Sequence, residues 1–146
     1  MLFRSRAVDR EGNTVDFRLS PTRDVAAAKA FFRKALRTQR RAPVSITLDG
    51  YAASHRAVRE MPGEDEAWKH IKLRSSKYLN NLIEQDHRGI KSRTGPMLGF
   101  KDFDCAATTI AGIELLRRIR KGQFALGRLH LKSQTAPAIW NAVLAA

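Results

Sequence analysis

A mixed α/β fold is what this chain predicts, and three observations carry that expectation: a β-hairpin signature at its start, an alternating β-branched strand from Val44, and helix-period apolar stripes on either side of that strand. The order read along the chain is hairpin, helix, strand, helix, strand, helix, helix. Helices are therefore available to cover both faces of a small sheet. At 146 residues the length suits one domain with a proper core.

Residues 2–9 (LFRSRAVD) and 14–19 (TVDFRL) alternate in part, and Arg10-Glu11-Gly12-Asn13 between them tolerates the positive φ of a tight reversal. Ser20-Pro21 supplies a helix start, since the N–H that proline lacks has no partner in a first turn. Val25, Ala28, Phe32, Ala35 and Leu36 then recur at helical spacing, predicting a helix over 22–38 with Arg33, Lys34 and Arg37 outward. Val44, Ile46 and Leu48 form one face of the next strand, which ends at Asp49 and is broken by Gly50. Tyr51–Glu60 reads as a short helix, Met61–Glu66 as an acidic loop, and Lys69–Leu73 as a short strand with Ile71 and Leu73 inward.

Tyr78–Lys91 is the segment where an apolar stripe and a compact polar face lie back to back. At about 100° per residue, Leu79, Leu82, Ile83 and Ile90 gather on one side, and Lys77, Asn80, His87, Arg88 and Lys91 surround Glu84 on the other. Asp86 falls within the apolar stripe. A buried acid needs a partner, and an arginine from the 103–121 helix is the expected one. Gly95-Pro96 closes this helix. Phe103–Lys121 is the next, with Phe103, Ala106, Ala107, Ile110, Ile113, Leu116 and Ile119 as its core stripe and a basic end at Arg117–Lys121. That end suits either solvent or DNA. Gly122 stops the helix, residues 124–131 read as weakly extended, and 136–146 as a short terminal helix.

Twenty-seven Lys and Arg against 14 Asp and Glu give a net charge of +13, and the pI is near 10.9. Such a balance calls for a polyanionic partner, nucleic acid before an anionic membrane surface. No run approaches the roughly 18 apolar residues of a spanning helix, and MLFRSRAVDR is too short in apolar length for a signal peptide, so a cytoplasmic location is expected. A lone Cys105 excludes an internal disulfide, makes no zinc-ligand spacing with the four histidines, and is expected in the core. Tyr51, Trp68 and Tyr78 are scattered, which argues against base stacking on RNA, and Trp140 reads as a packing residue.

Two carboxylates stand out chemically. Asp49 sits at the C-terminal end of a strand, where α/β sheets bind ligands, although an Asp there also caps a following helix. Glu84 invites an ordinary ion pair with Arg88 at i+4. Taken together they suit a hard divalent cation, which wants oxygen ligands from separate rigid elements. Two such ions, about 3.5–4 Å apart, stabilise both oxygens of an in-line phosphoryl displacement. Arg88 and Lys91 on the same helix face fit phosphates.

Asp49, 34 intervening residues, Glu84 and a base seven positions on at Lys91 resemble the second and third acids and the following base of DDE transposases, specifically the IS-six family of bacterial insertion sequences. RAVDREGNTVDFRLS, DVAAAKAFFRKAL, KYLNNLIEQDHRGIK, PMLGFK and TIAGIELLRRIRKGQ are each similar to that family's text, over residues 3–123. The resemblance implies a ribonuclease H-like mixed sheet flanked by helices, with Mg²⁺ or Mn²⁺ held by Asp49 and Glu84 as catalytic ligands. It also implies cutting and joining of DNA at insertion-sequence ends, self-association on paired ends, a bacterial nucleoid setting, and DNA contacts from Lys77, His87, Arg88, Lys91 and Arg93. Residues 1–123 are then a partial catalytic domain and 124–146 a C-terminal tail.

The departures are specific. The family's first catalytic Asp lies on a strand before the hairpin, and neither Asp9 nor Asp16 matches it. That strand is central, so its loss leaves two unpaired edges. The expectation is a marginal, truncated chain, or a hairpin that closes up against residues 44–48. Gly89 inside the helix costs about 1 kcal/mol relative to Ala. A transposase of doubtful activity is thus the first reading, and a non-catalytic DNA-binding or regulatory fragment the alternative.

Overall fold

The structure, a computed structural model, describes residues 2–76, 81–95, 100–128, 131 and 133–145, with Leu82 and Arg128 described by their backbone alone. Strands β1 (Phe3–Val8) and β2 (Thr14–Ser20) precede helix α1 (Val25–Gln39). Strand β3 (Ser45–Leu48), helix α2 (Ala52–Glu60) and strand β4 (Lys72–Ser75) follow. Helices α3 (Asn81–Thr94), α4 (Phe103–Arg120) and α5 (Ala136–Ala145) complete the chain. The mixed α/β expectation holds among the described residues as two small sheets and five α-helices. They divide into two compact units, Met1–Arg88 and Gly89–Ala146.

In the first unit, β1 and β2 pair antiparallel, Arg6 opposite Phe17 and Ala7 opposite Asp16, with an irregularity between Ala7 and Val8. Gly12 takes φ 82° in the turn, a conformation that costs it little. The Asp9 carboxylate accepts the Asn13 backbone N–H at 2.8 Å, so this acid is spent on the reversal. Strands β3 and β4 form a second, parallel sheet, Ser45 opposite Lys72 and Leu48 opposite Ser75. Among the described residues the hairpin does not pair with β3, contrary to the closure expected above, and no five-stranded sheet forms. Side chains tie the hairpin down instead. Asp16 of β2, buried, accepts from Thr38 Oγ1 at 2.9 Å and pairs with Lys34 Nζ at 3.0 Å, both on α1. Lys34, with its side chain 41% exposed, therefore reaches over to the hairpin instead of serving only the outer basic face.

Helix α1 starts three residues later than Ser20-Pro21 suggests, because Asp24 is the better cap: its Oδ1 accepts the Ala27 N–H at 2.7 Å. That bond holds the Asp24 carboxyl below its ordinary range. A depressed carboxylate contributes stability fully present above the unfolded pKa and lost as pH falls through the folded one. Asp24→Asn, which keeps an acceptor but cannot titrate, is expected to flatten part of the acid limb of the unfolding midpoint in a pH series. An unchanged acid limb contradicts this.

One face of α1 packs Ala28, Phe31 and Phe32 onto Leu48 of β3, Ala57 and Val58 of α2, and Met61 and Trp68. The segment read as an acidic loop is two 3-10 turns, Met61–Gly63 and Glu66–Trp68, that deliver Met61 and Trp68 to this core and delay β4 to Lys72. Val44 precedes β3 and is exposed. Glu64 pairs with Lys29 and Arg33, and Glu60 with Lys29, so the acids neutralise bases of α1.

In the second unit α4 packs on α5, and Ile90, Ala106, Ile110, Ile119 and Ile139 are buried. Phe103 and Cys105 lie in the exposed first turn rather than in the core, while Glu114 is buried at 1% exposure. Gly89 has a packing reason: a Cβ there would lie 1.8 Å from Nη1 of Arg117, whose guanidinium rests against the bare Cα. Gly89→Ala obliges the Arg117 guanidinium to shift, so it is expected to gain less than the helix-propensity difference of about 1 kcal/mol. In an Arg117→Ala background the full gain is expected, and a double-mutant cycle by urea unfolding reads the difference. Equal gains in the two backgrounds contradict the packing account.

Candidate metal and nucleic-acid site

The parallel β3–β4 pair runs both strands to one edge, and the Ser76 N–H donates to the Leu48 carbonyl at 3.1 Å. Asp49 and Ser76 therefore follow their strands at the same edge of the sheet. Asp49 is exposed and its Oδ1 accepts the Tyr51 N–H at 3.2 Å, a two-residue turn bond rather than a helix cap. Residue Tyr51 itself is the N-cap of α2 and makes no side-chain cap bond. The turn is braced on both sides. His55 Nε2 lies 2.7 Å from the Asp49 carbonyl, and the Arg23 guanidinium stacks 3.9 Å from the centre of the Tyr51 ring.

Glu84 stands in the first turn of α3, exposed, and has no hydrogen-bond or ion-pair partner among the described residues. The Glu84–Arg88 ion pair that spacing alone favours is not formed. The helix divides cleanly by burial. Ile83, Asp86 and Ile90 turn inward, while Asn81, Glu84, Arg88 and Lys91 form an exposed line at helical spacing. Arg93 is half-buried. His87 is half-buried and has a partner, so it sits beside the exposed line rather than in it. Lys77, Tyr78, Leu79 and Asn80 lie outside the described residues, as does the side chain of Leu82.

Asp86 forms an ion pair with Arg6 of β1, a partner the sequence reading did not name. Arg6 and Asp86 are 0% and 5% exposed at their side chains, and Arg6 Nη2 also donates to Thr14 Oγ1 at 2.9 Å. Sequence reading missed Arg6. Its one signal is an arginine within a strand whose neighbours Ala7 and Val8 are apolar. The buried acids Asp16 and Asp86 are thus committed to structure, and among the described residues no group of three His, Cys, Asp or Glu side chains is placed to hold a metal. Asp49 and Glu84 are left as accessible oxygen donors, the chemistry a hard cation takes.

A second feature was not legible in sequence. Arg10, Val44, Ser45, Lys72 and Arg74 line an open concavity of about 420 Å³ at the N-terminal end of β3 and β4, the end away from Asp49. No acidic side chain lines it. Among the described residues no helix is long and apolar enough to cross a membrane.

A family model described as a DDE domain matches residues 2–123. The chain is 35% identical over 121 residues to the transposase for insertion sequence-like element IS431mec of Staphylococcus aureus strains Mu50 and N315. The same identity relates it to the transposase for insertion sequence element IS257 in transposon Tn4003 of Staphylococcus aureus. Each alignment covers 80% of this chain and 50% of the relative, so the chain spans about half the length of the curated relatives it matches. No solved structure matches it significantly.

Proposed function

Because the chain belongs to the IS-six family of DDE-domain transposases, we propose that it acts on DNA at insertion-sequence ends through a divalent metal held by Asp49 and Glu84. The observation that carries this reading is the pair of exposed carboxylates at family spacing, one at the end of β3 and one opening α3, with Glu84 unpaired among the described residues. The donor set fits Mg²⁺ or Mn²⁺, which take carboxylate oxygens and keep several waters. When bound, the metal stabilises the attacking and leaving oxygens of a phosphodiester displacement.

The chain's own residues do the rest. Asp49 is held by its turn bond to the Tyr51 N–H. Glu84 is offered from a rigid helix. Arg88 and Lys91 hold the DNA backbone along the same exposed line, with His87 and Arg93 beside it, and Lys77, outside the described residues, is proposed as a further DNA contact. The two sheets are parts of a ribonuclease H-like frame, with residues 1–123 as catalytic domain and 124–146 as tail. Self-association on paired DNA ends and a cytoplasmic, nucleoid-bound setting complete the proposal.

The test is a plasmid nicking and joining assay in Mg²⁺ or Mn²⁺. Metal-dependent nicking lost in both Asp49→Ala and Glu84→Ala supports the reading, and nicking that persists in both overturns it. The commitment of Asp16 and Asp86 to buried contacts favours a second reading, a DNA-binding regulator without catalysis. Under that reading DNA affinity falls steeply with salt and ignores metal. In either case Arg88→Ala and Lys91→Ala are each expected to reduce the slope of log K against log salt by about 0.9.

A further inference from the structure

We infer that the concavity at the N-terminal end of β3 and β4 is a contact site for the phosphate backbone of duplex DNA, built on Arg10, Lys72 and Arg74. The inference rests on the reading of DNA as the partner, and needs no metal at Asp49 or Glu84.

The parallel pair has two unlike faces. Ile46, Leu48 and Leu73 join the core beneath α1 and α2, so the two-residue period puts Ser45, Thr47, Lys72 and Arg74 on the opposite face. Thr47, Lys72 and Arg74 are exposed there. The register sets Ser45 opposite Lys72 and Thr47 opposite Arg74, two hydroxyls beside two cations. The hairpin turn adds Arg10, also exposed, so one concavity of about 420 Å³ gathers three cations from the two sheets of the first unit.

Those charges are not neutralised from within. Arg10, Lys72 and Arg74 form no ion pair among the described residues, whereas Lys29, Arg33, Lys34, Arg56 and Lys69 of the same unit each meet an acid. Asp9, beside Arg10 in sequence, is committed to Asn13. Like charges lined up in a hollow without an acid focus a positive potential, which an anion relieves.

The layout favours a repeating anion. Lys72 and Arg74, two residues apart on a strand, stand about 7 Å apart, close to two phosphate steps of about 3.4 Å along a duplex strand. No aromatic side chain lines the hollow, so it holds a backbone without stacking on bases. Val44, 80% exposed, is the one apolar residue in the lining, too little for seating in a lipid surface.

The test compares the full chain with a triple variant, Arg10→Gln, Lys72→Gln and Arg74→Gln, and with a charge-matched control, Arg37→Gln, Arg41→Gln and Arg59→Gln, whose cations are exposed outside the hollow. Anisotropy of a short fluorescein-labelled duplex is followed through a salt series in EDTA. The triple variant is expected to reduce the slope of log K against log salt by about 2.7, about 0.9 for each lost phosphate contact, and the control by less than about 1. A triple variant that matches the parent, or falls no further than the control, overturns the site while DNA binding by the parent stands. A parent that binds no duplex overturns the DNA reading and the site together. Loss of sedimentation with phosphatidylserine vesicles in the triple variant, with its DNA slope unchanged, overturns the site in favour of a membrane surface. Acetylation of the parent gives a readout that no variant's folding can confuse: duplex is expected to protect Lys72 and to leave Lys69 reactive, and an unprotected Lys72 overturns the inference.

Discussion

Arg6→Ala is expected to lower the stability of the chain by about 3–5 kcal/mol, because it removes the guanidinium paired with the buried Asp86 carboxylate. Domains of this size are stable by only about 5–15 kcal/mol, so the variant loses a large share of its folded population. The cause lies in the burial, with side chains 0% and 5% exposed, and in the second bond from Arg6 to Thr14. Asp86→Ala is expected to cost a similar amount by removing the carboxylate paired with the buried arginine. An exposed pair such as Arg56–Glu60 on α2 makes the control, since ion pairs of that kind contribute about 0–1 kcal/mol. Urea unfolding followed by circular dichroism reads all three. A loss below about 1 kcal/mol for Arg6→Ala contradicts the buried-pair account.

Trp68→Ala is the second large effect, also about 3–5 kcal/mol. Trp68 is 3% exposed and meets the Phe32 ring edge-on at 5.8 Å, so one residue joins α1 to the turn before β4. The turn itself is closed by backbone bonds from Trp68 N–H to Asp65 and from Ile71 N–H to Trp68. Removal of the indole leaves a cavity among Phe32, Val58 and Met61 that these elements are too constrained to fill. Trp68→Phe is expected to cost clearly less than Trp68→Ala. The indole N–H has no hydrogen-bond partner among the described residues, so the phenyl ring forfeits volume without forfeiting a bond. Equal losses in the two variants contradict a cavity-dominated effect.

Local signals made much of this fold legible, and tertiary ones explain what was not. The hairpin, β3, α2 and α5 follow from alternation, turn residues and helical spacing, all read within a few residues of one another. The start of α1 shifted because Asp24 makes a cap bond that competes with the Ser20-Pro21 signal. The acidic segment hid Met61 and Trp68 because its charges mask the two apolar residues that the 3-10 turns deliver inward. In the candidate site, Asp49, Glu84, Arg88 and Lys91 are proposed from residue type and spacing, and all four are exposed. The Arg6–Asp86 ion pair was not legible, since Arg6 lies 80 positions upstream and only the folded chain brings the two together. Gly89 reads as a helix defect in sequence and as the seat of Arg117 in space.

The most direct measurement of the central claim, that Asp49 and Glu84 hold one metal site, is iron-directed backbone cleavage. Fe²⁺ loaded in place of Mg²⁺ is treated with ascorbate and peroxide, and the cut positions are mapped by mass spectrometry. The account predicts paired cuts around Asp49 and around Glu84 that vanish together on adding Mg²⁺ and vanish together in either Asp49→Ala or Glu84→Ala. Cuts at one segment alone, or cuts at Asp49 that survive Glu84→Ala, contradict it.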